Sequence, residues 1–428
     1  MRTAIATAEA VRSGQADPRD VVTEALRRID GVEADIHAWV HVDREGARSA
    51  ATTLLGPVTG TFPLAGVPVG IKDIIDVAGL VTTAGARPFA HYRAERDADA
   101  VTRLRAAGAI ILGKTATTEF AYLDPSPTRN PWNTDHTPGG SSSGSAAAVA
   151  AGMVPVALGT QTVGSVLRPA AYCGVVGLKP GYGWTSTAGI IPLAWSLDHV
   201  GVFARTVADA ALVHDVLATV RPSPETPAER LVLGIPRAFL ADRASDEVAR
   251  HLVATAASLA AAGIDSHEIP FPTPDDWAAA GLPVLAAEAS AYHQALFDQH
   301  HADYGPSLKA LIERGLGLSA TDYIRAQRAR AGLRDRIVSL FAEVDALLLP
   351  VAPTTAPAGL ASTGDSVFCA PASYAGLPAV SLPSGLGDGG LPLAVQLVGR
   401  PGGEVELLAL AGRVEAVLAF EAAASREL

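Results

Sequence analysis

Thr137-Pro-Gly-Gly-Ser-Ser-Ser-Gly-Ser145 leads into Ala146-Ala-Ala-Val-Ala-Ala-Gly152, then Gly159-Thr-Gln-Thr-Val-Gly-Ser165-Val-Leu-Arg-Pro-Ala170 and Cys173-Gly-Val-Val-Gly-Leu-Lys-Pro-Gly181. Two Gly/Ser-rich turns alternate here with apolar segments. Linkers of such composition are flexible because nothing apolar adjoins them. These turns are instead bounded on both sides by core-forming sequence. Small residues inside core sequence mark places where the backbone must come close to something. The rest of the chain reads as scaffold for the two turns.

Outward from that stretch, helical and strand-like segments alternate. Upstream, Val21, Val22, Ala25, Leu26 and Ile29 recur at helical spacing after Asp17-Pro18, His37 to Val42 alternates like a short strand, and Arg44 to Leu55 reads as a helix. Leu64 to Ile71 reads as a buried strand that delivers Lys72 at its end, Ala98 to Ala107 as a helix and Ala109 to Leu112 as a strand. Ser145 to Ala151 reads as a helix, Pro155 to Leu158 as a strand and Arg205 to Ala218 as a helix. Arg221-Pro-Ser-Pro-Glu-Thr-Pro227 is a composition break and reads as a surface loop. Beyond it, Leu231 to Ile235 restarts the sheet, and helices are expected over 246–262, 278–299 and 322–341. Ala346 to Leu349, Ala370 to Pro383 and Leu391 to Gly399 complete the sheet before a last helix over 404–420. The pattern predicts an α/β fold: a large mixed, mostly parallel central sheet with helices on both faces. We read one domain over 1–428, with a helical N-terminal region (1–60) and a partly separate, mainly helical insert (228–345).

Composition narrows the function. With 49% hydrophobic and 18% charged residues the chain is globular rather than disordered. A net charge of -11 without a Lys/Arg run argues against a nucleic-acid surface. Cys173 and Cys369 lie in apolar sequence and read as buried free thiols, which fits a reducing, cytoplasmic setting. Glu9, Arg12 and Asp17 interrupt the N-terminus before an apolar core of a signal peptide forms, and no membrane span is expected. No His/Cys/Asp/Glu cluster has metal-ligand spacing, so neither a metal nor a cofactor is expected.

Three positions carry chemistry only in combination. Lys72, in Gly70-Ile-Lys-Asp-Ile-Ile, reads either as a strand-edge gatekeeper or as a lysine desolvated enough to be a neutral base. Ser165, in Thr162-Val-Gly-Ser165, reads either as part of an ordinary turn or as a nucleophile beside backbone oxyanion donors. Ser141, Ser142 and Ser143 read as an N-cap cluster for the following helix. Gly140-Ser-Ser142-Ser-Gly144 also matches G-x-S-x-G, but the turn formers of Asn130 to Pro138 stand where that elbow needs a strand. His199 follows Asp198 directly, and neighbours on a strand point to opposite faces.

With these segments in view, the chain resembles the amidase signature family. The likeness is carried by Gly70-Ile-Lys-Asp73, Thr137 to Gly152, Gly159 to Pro180, Asn130-Pro-Trp-Asn133, Ser196-Leu-Asp198 and Ala204-Arg-Thr-Val-Ala-Asp209. Spacings of 69 residues from Lys72 to Ser141 and 24 from Ser141 to Ser165 agree with it. The resemblance implies a Ser–cis-Ser–Lys triad: Ser165 as nucleophile, Ser141 on a cis peptide as proton relay, Lys72 as base. It further implies an oxyanion hole from the N–H groups of Thr162, Val163, Gly164 and Ser165, and Phe120, Tyr122, Ser142 and Trp195 as substrate contacts. The implied activity is hydrolysis of a small-molecule amide to a carboxylate and ammonia or an amine, with a homodimer among the assemblies allowed. A glutamine-hydrolysing, ammonia-supplying subunit of an amidotransferase complex is the alternative. Three residues depart from the pattern: many members have Asp at Gln161, Gly at Val163 and an arginine one position before Arg168.

Overall fold

The computed structural model describes residues 2–54, 62–220 and 231–420. Eleven strands form one sheet among these residues: β1 (Trp39–Val42), β2 (Pro68–Lys72), β3 (Ile110–Thr115), β4 (Val156–Gln161), β5 (Val176–Lys179), β6 (His199–Ala204), β7 (Leu231–Ile235), β8 (Ile264–Glu268), β9 (Ala346–Pro350), β10 (Ala379–Leu386) and β11 (Pro392–Val398). Their spatial order is β1-β3-β2-β4-β6-β5-β10-β11-β9-β7-β8. The loop expected at 221–227 lies outside the described residues.

The sheet is mixed, as expected, but parallel pairs are the minority. Only β3–β2, β2–β4, β9–β7 and β7–β8 are parallel. The other six neighbouring pairs run antiparallel. Helical crossovers, which parallel pairing requires, supply the two parallel blocks. Between them the chain reverses without a crossover helix: β5 and β6 are joined by 19 residues of turns, and β10 and β11 by a short loop.

Side chains alternate across the sheet into two cores. Ile111, Val156, Leu158, Val202 and Ala204 join one cluster. Ile110, Leu112, Ala157 and Phe203 join the other, with Val22, Leu26 and Ile29 of the helix Pro18–Ile36 and Ala146 to Val149 of the helix Ser143–Ala150. Both faces are therefore covered by helices. Residues 231–345 add β7 and β8 to the same sheet and five α-helices, Arg237–Ala241, Asp246–Ala261, Pro274–His300, Pro306–Leu316 and Ala320–Ser339.

The structure adds one helix that the sequence reading did not name and corrects one strand. Pro169 lies within a helix, Leu167–Cys173, where a proline is tolerated because first-turn N–H groups have no intrahelical partner. Ala370 to Tyr374 is a short helix, and β10 starts only at Ala379.

Candidate active site

Lys72 ends β2 and is fully buried. Its Nζ lies 2.7 Å from Ser141 Oγ and 2.8 Å from Thr160 Oγ1. Asp73, its sequence neighbour, is turned to other partners: it pairs with the buried Lys114 at 2.9 Å and accepts from the Thr83 N–H and hydroxyl. Burial drives the Lys72 pKa well below its usual value, and the charge of Asp198 opposes the shift. A contact ion pair would be worth about 4 kcal/mol at an effective dielectric of 20, enough to hold the ammonium charged. Among the described residues no carboxylate makes such a contact with Lys72, so no ion pair offsets its desolvation.

The peptide bond Gly140–Ser141 is cis. The Ser141 carbonyl accepts from the Thr118 N–H at 3.1 Å, and the Gly140 carbonyl accepts from Arg168 Nη2 at 2.8 Å. Arg168 is buried and also reaches the Gly364 carbonyl and Thr363 Oγ1. It makes no pair with residue 161. Burial lowers its pKa, with Tyr172, Cys369 and Asp365 opposing.

None of the three consecutive hydroxyls caps the helix Ser143–Ala150. Ser141 is taken by Lys72; Ser143 donates to the Gly139 carbonyl. Ser142 is the N-cap residue by position, but its hydroxyl donates to Thr160 O and accepts from Thr160 N, both at 3.2 Å. With both valences taken in a fully buried place, Ser142 fastens the serine turn to β4 instead of meeting a substrate. Gly159 permits this approach, since a Cβ there would press on Ser142 Oγ and the Phe203 ring.

The second turn follows β4. Its Thr162 hydroxyl donates to Asp198 Oδ1 at 2.6 Å, and Asp198 Oδ2 accepts from the N–H groups of Leu193 and Ala194. Burial pushes the Asp198 carboxyl up to about 6 despite those bonds. Among the described residues the N–H groups of Val163, Gly164 and Ser165 donate to no protein acceptor. Ser165 is 9% exposed, and its carbonyl accepts from Ser142 N at 3.4 Å, which ties the two turns together. The structure thus joins Lys72 to Ser141 directly and brings Ser165 alongside through its backbone. No hydrogen bond links the hydroxyls of Ser141 and Ser165.

The expected substrate contacts are corrected in part. Phe120 is 1% exposed and enclosed by Phe89, His293 and Tyr304 at ring-centroid distances of 5.4, 4.6 and 5.5 Å, so it is an aromatic core residue. Trp195 is 47% exposed, with its carbonyl bonded by the Tyr182 hydroxyl at 3.2 Å. Tyr122 is half-buried. Sequence reasoning missed Thr160 and Ser373, which touch Lys72 and the second turn respectively. Ser373 lies more than 200 residues from that turn, so no local pattern could have found it.

The sequence and the fold match known proteins. The sequence pattern of the Amidase family matches residues 20–408. A glutamyl-tRNA(Gln) amidotransferase subunit of Roseiflexus castenholzii is 37% identical over 94% of this chain and 92% of that protein. A crystal structure of an amidase superposes with a TM-score of 0.90 at 32% identity, covering 97% of this chain and 99% of that one. The crystal structure of the glutamyl-tRNA(Gln) amidotransferase subunit from Thermotoga maritima gives 0.79 at 30% identity, covering 93% and 91%. The sequence relatives thus favour the amidotransferase expectation over the stand-alone one. No helix among the described residues is long and apolar enough to cross a membrane. The chain is a hydrolase acting on amides and belongs to the amidase signature family.

Proposed function

We propose that the protein cleaves an amide C–N bond through an acyl-enzyme on Ser165. The observation that carries this reading is the 2.7 Å contact between Ser141 Oγ and a buried Lys72 that lacks an ion-pair partner among the described residues. Ser165 Oγ attacks the carbonyl carbon, passing its proton to Ser141 Oγ as the Ser141 proton moves to Lys72 Nζ. The oxyanion meets the N–H groups of the turn Thr162 to Ser165. Lys72 returns the proton through Ser141 to the leaving nitrogen, which departs poorly unless protonated. Water then repeats the sequence and releases the carboxylate. Ser165→Ala should abolish turnover with a melting temperature close to wild type; substantial residual hydrolysis would sink the assignment.

Two readings of the substrate follow from different comparisons. The amidotransferase relatives, at 33–37% identity over most of both chains, favour the glutamine side-chain amide as donor, with ammonia passed on within a complex. The 0.90 superposition on an amidase, against 0.79 on the amidotransferase structure, favours hydrolysis of a small amide without a partner. Both use the same acyl chemistry in a reducing compartment, which the two buried free thiols support. Assaying the purified protein on L-glutamine and on small aliphatic and aromatic amides separates them. Glutaminase activity that needs a co-purified partner supports the first; turnover of small amides by the isolated protein supports the second.

A further inference from the structure

The peptide unit between Val163 and Gly164 is held from one side only. The Val163 carbonyl accepts from Gln161 Nε2 at 3.0 Å and from Ser373 Oγ at 2.6 Å. Gln161 Nε2 donates its second proton to Ser373 Oγ at 2.9 Å. Gln161 Oε1 accepts from the N–H groups of Val166 and Leu167, at 2.8 and 2.9 Å, where the helix Leu167–Cys173 begins. Both side chains are fully buried, so water does not compete for these bonds.

The orientation of the amide is dictated by its partners. Turned over, its NH2 would face two N–H donors and its oxygen would face a carbonyl, and neither arrangement bonds. All four valences of Gln161 are used, two as donor and two as acceptor. A carboxylate could keep the acceptor half but not the donor half.

In a trans peptide the C=O and the following N–H point in opposite directions. Drawing the Val163 carbonyl toward Gln161 and Ser373 therefore turns the Gly164 N–H away from them, and among the described residues that N–H has no protein acceptor. We infer that Gln161 and Ser373 are positioning residues that aim the Gly164 N–H at the oxyanion; this rests on the acyl-enzyme reading above. Gln161 is uncharged, so the hold does not titrate. In this chain the amide at 161 works with a hydroxyl at 373 that both accepts from the amide and donates to the carbonyl.

The test compares wild type, Gln161→Glu, Ser373→Ala and Ser165→Ala on L-glutamine and a para-nitroanilide, with an alkyl boronic acid as a tetrahedral mimic. Gln161→Glu keeps the size and the acceptor side but sets an anionic oxygen against the Val163 carbonyl. It should lower kcat by about 100-fold, the range seen when one oxyanion donor is lost. KM should stay nearly constant, and boronate affinity should fall with kcat. Ser373→Ala removes one of the two donors to the Val163 carbonyl and should lower kcat in the same pattern by less than Gln161→Glu does. Unchanged kcat in Ser373→Ala, or losses that fall on KM while boronate affinity holds, would overturn the inference. Retained activity in Ser165→Ala would instead remove the reading on which it rests.

Discussion

Lys72 owes its chemistry to what surrounds it more than to what it touches. Two hydroxyls, Ser141 and Thr160, bond the amine without supplying charge, and the adjacent carboxylate of Asp73 is satisfied by Lys114. Asp198 acts through its charge and favours the ammonium. The neutral fraction of Lys72 grows as pH rises through its pKa, so a base of this kind gives an acidic limb in kcat/KM. Asp198→Asn removes the opposing charge, lowers the Lys72 pKa further and should move that limb to lower pH. The effect belongs to the range above about 6, where Asp198 is ionised in the wild type. The local bonding survives this change, since an amide oxygen can accept from Leu193 N and Ala194 N while its NH2 donates to the Thr162 hydroxyl oxygen. A limb displaced to higher pH would contradict this account. Taken singly, Lys72, Ser141 and Ser165 were ambiguous in the sequence, and their expected roles came only from the resemblance of the surrounding segments to the amidase signature family. Phe120 was named as a substrate contact on the same resemblance, yet sequence does not say which way a ring turns, and three other rings enclose it.

At the scale of elements, the helix Ser143–Ala150 sets the depth at which the serine turn lies. Gly144 is in backbone contact with two other segments: a Cβ there would land on the Ala38 carbonyl oxygen and the Ala116 nitrogen. Its own N–H donates to the Ala116 carbonyl at 2.9 Å. No side-chain movement relieves a clash with backbone. Gly144→Ala should therefore destabilise the fold by about 4 kcal/mol or more, the upper tail for single substitutions. Urea unfolding followed by circular dichroism checks this, and a midpoint equal to wild type would contradict it. The helix and its start were legible, because an Ala-rich run after Gly/Ser residues has few other readings. Its capping was not, since Ser142 and Ser143 find partners on Thr160 and Gly139 in place of the helix end. The helix Leu167–Cys173 was not named from sequence; it is only seven residues long and carries Pro169 in its first turn.

Across the whole molecule, the two turns sit where β2 and β4, neighbours in the sheet, present their ends to each other. β2 brings Lys72, β4 leads into Gln161 and Ser165, and the serine turn is pinned to β4 through Ser142. Alternating helices and strands made a covered sheet legible, since only burial on both faces explains such apolar strands. The antiparallel centre was not legible, because strand direction there depends on how β5 and β6 meet after 19 residues of turns without a crossover helix. The contacts from residues 363 to 373 onto Arg168 and the second turn were equally hidden, being long-range in sequence. All of these elements converge on one hydroxyl, and its reactivity can be read directly. Treating the folded protein with a fluorophosphonate, followed by intact-mass and peptide-mapping mass spectrometry, should show a single adduct on Ser165. That adduct should be absent in Ser165→Ala and form far more slowly in Lys72→Ala. An unlabelled wild-type protein, or an adduct on Ser142 with Ser165 untouched, would contradict the account.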